Sequence, residues 1–312
     1  MIEKLIDDIL KKKNPSVVGL EPTAEMMPEF LKTKYFDRMG YDNPAAYAGM
    51  FLEFNRAVID AVADIVPAVK PQIAMYERFG ITGLQAYNAT CEYAHGRGLT
   101  VIGDIKRGDI SSTAAAYAAH LGGVDVNGTH SDMWTEDAVT VNPYLGTDGI
   151  KPFIDECSAH CKGIFVLVRT SNPSSAEIQE QSLADGRRLY EAVADLTEKW
   201  GSGLIGQHGY SEVGAVVGAT HREQGEQLRE RMPHTFFLVP GYGAQGGTAD
   251  DVAGFFDENG LGAVISSSRG ITAAYKKDPK YDEKDFALAE AESAVRMRED
   301  LTGALMRRGV SY

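Results

Sequence analysis

Short apolar runs recur along the 312-residue chain, each followed by a stretch whose apolar residues fall three or four positions apart. The runs are Ser16–Leu20, Ala68–Ile73, Thr100–Ile105, Ala138–Asn142, Gly163–Val168, Gly214–Gly218, Thr235–Val239 and Gly262–Ser266. Most are apolar throughout rather than alternating, as parallel strands covered on both faces should be. Between them, segments such as Tyr47–Ile65, Leu84–His95 and Ala184–Trp200 carry apolar residues at helical spacing with charges interleaved. Eight strand–helix units in this length predict an α/β fold, a single TIM (β/α)8 barrel. A doubly wound sheet has the same periodicity and stays open on pattern alone. No Pro-, Gly- or Ser-rich linker divides the chain, so the expectation is one domain over residues 1–312. Its tail, Asp278–Tyr312, is rich in Ala, Glu and Arg and reads as a closing helix. Two stretches, Glu21–Pro44 and Gly201–Ser211, exceed the usual short connection, and long connections are usually functional or mobile. The sequence assigns no role to the first.

Charge narrows the range of partners. The formal net charge of −13 argues against a nucleic-acid or anionic-membrane surface. An anionic ligand would need a few Lys and Arg placed locally. No run of 18 apolar residues suggests a transmembrane helix. The opening MIEKLIDDILKKKN is amphipathic and charged, unlike a signal peptide, so a cytoplasmic location is the default expectation. Cys91, Cys157 and Cys161 are odd in number and make no disulfide framework. Cys157, His160 and Cys161 could share a helix face, but they lack a fourth ligand. Idle or buried thiols are the expected reading, with no metal and no cofactor.

The chemistry concentrates in Val101–Ile110, VIGDIKRGDI. Asp104, Lys106 and Asp109 follow one another as D-x-K-x-x-D, and strand alternation puts Asp104 and Lys106 on one side, toward the barrel mouth. A solvated charged turn is the plain alternative; the carboxyl end of a barrel strand, where catalytic groups sit, argues against it. Lys70 lies in the apolar segment PAVKPQIA, where a lysine needs a partner. If the two strands are neighbours, Lys70 reaches Asp104 and extends an alternating row in which each charge stabilises the next. The plain alternative for Lys70 is a structural ion pair.

Two glycine-rich loops follow the last two strands: PGYGAQGG at Pro240–Gly247 and SSSRG at Ser266–Gly270. In a barrel these positions form the usual phosphate site. Small residues let backbone N–H groups approach a phosphate, Gln245 adds a donor, and Arg269 can grip two oxygens. Gly241, Gly243 and Gly246 also satisfy the dinucleotide pattern G-x-G-x-x-G. That pattern needs an acid at the end of the next strand, where this chain has Ser267, Ser268 and Arg269. In RTSNP, at Arg169–Pro173, Thr170 and Ser171 can meet a polar ring edge or cap a helix.

Taken in order from Val17 to Ile271, the segments VGLEP, VKPQIAMYERFG, DIKRGDISSTAAAYA, AVTVNPYLG, VRTSNP, VPGYGAQGG and SSSRGI resemble the orotidine 5'-phosphate decarboxylase family, in particular its longer bacterial branch. D-x-K-x-x-D alone is shared with related sugar-phosphate enzymes, whereas DIKRGDI, KPQ, TSNP and PG-x-GAQGG together are specific. The resemblance implies decarboxylation of orotidine 5'-monophosphate to uridine 5'-monophosphate in a homodimer with shared sites. Lys70, Asp104 and Lys106 would come from one subunit, and Asp109, beside Ile110, from the other. Thr170 or Ser171 would contact the pyrimidine. Gln245 and Arg269 would hold the 5'-phosphate, with help from Pro240, Gly241, Gly243, Ser268 and Gly270. Glu21 stands where many members carry Asp, an acid that touches the ribose.

Loss of CO2 leaves an electron pair on C6 that the ring delocalises poorly. Such a carbanion calls for fixed positive charge and a ready proton, and Lys106 is placed to supply both. The alternatives are a Mg2+-dependent sugar-phosphate decarboxylase or synthase on the same barrel, and a silent nucleotide-binding barrel.

Overall fold

The computed structural model describes residues 1–310. The eight apolar runs are the eight strands of a closed parallel barrel. These are β1 (Ser16–Leu20), β2 (Ala68–Pro71), β3 (Thr100–Arg107), β4 (Ala138–Val141), β5 (Gly163–Arg169), β6 (Ser211–Val217), β7 (Thr235–Val239) and β8 (Ala263–Ser267). Each pairs with the next in sequence, and β8 closes on β1 through the register Ser16↔Ile265. Closure removes the doubly wound alternative.

A helix the strand pattern did not require, α1 (Ile2–Lys12), plugs the bottom. Its buried Ile2, Leu5, Ile6 and Ile9 pack with Val17, Ala68, Ile102, Ala138, Phe165, Phe236 and Val264. That cluster identifies the inward phase of the strands. Two residues further along, alternation turns Gly19, Lys70, Asp104 and Thr140 inward as well, one layer nearer the mouth. A separate apolar shell lies between the barrel and its surrounding helices, among them α2 (Glu29–Met39), α3 (Pro44–Val62), α4 (Gly80–Gly96), α5 (Ser111–Gly122), α6 (Thr147–His160), α7 (Leu189–Gly201) and α8 (Arg222–Arg231). The predicted tail contains α9 (Phe286–Arg307); Ser311 and Tyr312 lie outside the described residues.

The two long connections are ordered parts of the scaffold. Residues 21–44 contain α2, whose Phe36 packs at a tilt against Tyr47 of α3 with ring centroids 5.0 Å apart. Tyr275 donates to the Met26 carbonyl at 2.7 Å, and Lys276 to that of Glu25. This insertion therefore ties the end of β1 to the segment that follows Arg269. Residues 201–211 dock under the barrel on α1: His208 N–H donates to Glu3 at 3.2 Å, and its Nε2 lies 3.0 Å from Asp7. The sequence pattern missed a hairpin, Val124–Val126 with Thr129–Ser131. Its strands are short and exposed, so no apolar run marks them. The Asn127–Gly128 turn, with φ of 51° and 79°, was the available signal.

Cys157 is buried, Cys161 is exposed, and His160 pairs with Glu156 at 3.2 Å, so the three do not converge. Among the described residues no helix is long and apolar enough to cross a membrane.

Candidate active site

Strands β2 and β3 are neighbours, with Gln72 bridging to Asp104 in parallel pairing. Adjacency brings Lys70 Nζ to 2.7 Å from Asp104 Oδ2. The Asp104 carboxylate accepts from four side chains. Lys70 and Gln72, the latter at 3.0 Å, donate to Oδ2; Lys106 and Thr140, the latter at 2.9 Å, donate to Oδ1. Burial opposes the charge on Asp104, but Lys70 and Lys106 outweigh it and hold the carboxyl well below the usual range. Burial likewise works against protonation of Lys70, and Asp104 and Glu21 overcome it, raising the ammonium's pKa.

Glu21 extends this network toward the phosphate loops. Its Oε1 lies 3.3 Å from Lys70 Nζ and accepts from Ser268 at 2.7 Å. The close approach of Ser268 depends on Gly19, where a Cβ would sit 2.0 Å from the serine oxygen. The carboxylate at position 21 thus meets Lys70 on one side and the loop after β8 on the other.

Lys106 stands at the rim with its side chain 45% exposed and its backbone in the left-handed region, φ 46°. Asp109 does not join the row within its own chain: Oδ1 accepts from Ile110 N–H at 2.7 Å, and Asp109 forms no ion pair among the described residues. Ile110, 48% exposed, caps the start of α5.

Opposite the row lie the glycine loops. Gly241, Gly243 and Gly246 all have φ between 72° and 100°, which an L side chain rarely adopts. The loop is braced internally by Gly243 N–H on Gly247 O at 2.8 Å. It is also tethered by Tyr242, whose hydroxyl donates to Asp300 of α9 at 2.5 Å. Pro240, Gly241, Gln245, Ser268 and Arg269 line one open pocket together with Glu21 and Lys70. Gln245 and Arg269 are exposed. Gly270 abuts them, its carbonyl accepting from Ser293 at 3.1 Å.

Ser171 borders the same loop: a Cβ on Gly241 would lie 3.3 Å from that of Ser171. Thr170 is held by Gln179, which accepts from its N–H at 2.9 Å and donates to its hydroxyl at 2.7 Å. Arg169 turns away and is buried, donating to Gln224, Ser175, Gln179 and Glu180. It anchors the RTSNP turn from beneath.

Three residues of the site escaped the sequence reading. Gln72 follows Lys70 by two and shares its phase, a signal that was available. Thr140 is the polar residue within the run AVTV, two after inward-facing Ala138. Gln179 reaches Thr170 from a separate short helix, Ala176–Gln179, and nothing in its sequence position announces that.

Residues 51–283 match the family described as orotidine 5'-phosphate decarboxylase / HUMPS. The orotidine 5'-phosphate decarboxylase of Caldicellulosiruptor saccharolyticus is 40% identical over 304 residues, covering 97% of this chain and 98% of its own length. That of Clostridium tetani is 42% identical over 306 residues, covering 98% and 99%. Among solved structures, the OMP decarboxylase of Leishmania donovani superposes with a TM-score of 0.69 at 28% identity, over 95% of this chain and 98% of that one.

Proposed function

This chain belongs to the orotidine 5'-phosphate decarboxylase family, and from that premise we propose that it converts orotidine 5'-monophosphate to uridine 5'-monophosphate and CO2. The observation that carries the reading is the one pocket that Lys70 and Glu21 share with the two glycine loops, Gln245 and Arg269. A nucleotide needs donors for its phosphate and a charge network for its reacting ring, and Lys70 connects this pocket to Asp104.

In this reading Arg269 and Gln245 bind the phosphate, assisted by backbone N–H groups around Gly241, Gly243 and Gly270. Pro240 and Ser268 shape the loop mouths, Glu21 meets the ribose, and Thr170 and Ser171 meet the pyrimidine edge. The C6–carboxylate bond breaks, CO2 leaves, and the electron pair stays on C6. The Lys106 ammonium stabilises that pair and transfers a proton to C6; the neutral amine then regains a proton from water. Asp104, fixed by four donors, places negative charge near the departing carboxylate, and Lys70 holds Asp104 ionised. No metal or cofactor takes part. A competing divalent cation at Asp104 would have to displace two ammonium groups, which favours the charge row over Mg2+ chemistry.

Asp109 would serve the site of a second subunit. Supporting this, Ile110, Tyr117, Val126, Met133, Tyr144 and Leu145 leave apolar surface exposed around α5, the hairpin and the start of α6, and exposed apolar patches mark association surfaces. The proposed assembly is a cytoplasmic homodimer of single-domain barrels that binds a small nucleotide. The test is turnover of orotidine 5'-monophosphate by purified protein: stoichiometric uridine 5'-monophosphate supports the reading, and no turnover by folded protein refutes it.

A further inference from the structure

The register between β3 and β4 breaks at the charge row. Gly103 pairs with Val139, yet the next pair is Arg107 with Val141, an advance of four residues on β3 against two on β4. Residues 104–106 therefore bow away from β4, and backbone groups in such a bulge lose their ladder partners. The Lys106 N–H donates instead to the Thr140 hydroxyl at 3.0 Å. The same hydroxyl donates to Asp104 Oδ1 at 2.9 Å. An N–H can only donate and an ionised carboxylate can only accept, so the direction of both bonds is fixed.

Thr140 thus clamps two parts of the row at once. It orients the Asp104 carboxylate, and it supplies the acceptor for the peptide N–H of a lysine in the left-handed region. Bulges beside active sites commonly re-aim a side chain, and the left-handed conformation persists in a non-glycine residue only when its surroundings hold it there. Thr140 itself is 1% exposed, so it contacts no nucleotide in the cavity.

We propose that Thr140 is a positioning residue for the decarboxylation, holding the bulged Lys106 backbone and the Asp104 carboxylate in register with each other. The proposal rests on the function assigned above. A β-branched residue suits the buried strand, and its hydroxyl acts as a surrogate carbonyl for the bulge.

The experiment compares Thr140→Val, which keeps shape but lacks the hydroxyl, with Thr140→Ser, which keeps the hydroxyl. For Thr140→Val, kcat is expected to fall by about tenfold or more, with KM within about threefold of wild type. Thr140→Ser is expected to recover most of the loss. A folded Thr140→Val with wild-type kcat overturns the proposal, as does a rise in KM alone, or a serine variant as impaired as valine. If the valine variant does not fold, Thr140→Cys takes its place: its weaker thiol acceptor should give a kcat below that of serine, and equality with wild type overturns the proposal. Should wild type itself fail to turn over the nucleotide, the functional reading falls, and a crystal structure of Thr140→Val still decides the clamp. Lys106 leaving the left-handed region supports it, and an unchanged Lys106 refutes it.

Discussion

Lys70 and Asp104 face each other across adjacent parallel strands, Nζ to Oδ2 at 2.7 Å, with side chains 5% and 9% exposed. Desolvation alone would neutralise both groups. Mutual attraction, strengthened by Lys106 and Glu21, keeps them charged.

Acid should weaken this pair. The folded Asp104 carboxyl titrates below its unfolded value near pH 4. Its contribution to stability is complete above that unfolded value and is lost as pH falls toward the folded one. Asp104→Asn leaves Lys70 buried with only Glu21, at a cost of about 3–5 kcal/mol near neutrality. Thermal unfolding should show a large gap between variant and wild type at pH 7 that narrows below about pH 4. A gap independent of pH contradicts this electrostatic account.

Glu290 predicts the opposite sign. It is fully buried on α9, and neither oxygen has a hydrogen-bond partner. Burial pushes its carboxyl well above the ordinary value. Stability from a raised acid is present below the unfolded pKa and is lost as pH rises toward the folded one. Glu290→Gln should therefore raise the unfolding temperature more at pH 8 than at pH 5, by an extra few degrees, on the order of 5 °C. An equal shift at both pH values counts against a protonated Glu290.

Much of this architecture is legible in the sequence, for a physical reason. Parallel strands buried on both faces must be apolar, so β1 and β7 emerge at their observed limits from composition alone. The charged residues Lys70, Asp104 and Lys106 stand out against that apolar background. What stays hidden depends on register. The β3 bulge that gives Thr140 its two bonds arises from a four-against-two mismatch between strands, and no single strand encodes it. Gln179 and the docking of residues 201–211 on α1 are also tertiary facts. Glu21 reads as a departure in sequence, while in space its reach joins Lys70 to Ser268.

Arg269 separates binding from chemistry. Arg269→Ala should reduce kcat/KM for orotidine 5'-monophosphate by about 100-fold or more, since charged phosphate contacts contribute a few kcal/mol. Turnover of orotidine, which lacks the phosphate, should change little. Equal losses on both substrates would remove the phosphate from Arg269.

Subunit mixing tests where Asp109 acts. Lys106→Ala and Asp109→Ala proteins should each be nearly inactive. If Asp109 crosses the interface, a mixed dimer has one site with both lesions and one with none. Equal mixing after subunit exchange should then restore about a quarter of wild-type activity. No recovery, with exchange confirmed by mass, places Asp109 in its own subunit's site.

The central claim is tested by following the ultraviolet absorbance of orotidine 5'-monophosphate with wild type and Lys106→Ala, each with and without EDTA. The predicted result is an EDTA-resistant loss of the substrate signal in wild type that disappears in Lys106→Ala. Abolition by EDTA, or turnover undiminished in folded Lys106→Ala, would contradict a metal-free decarboxylation with Lys106 as proton donor.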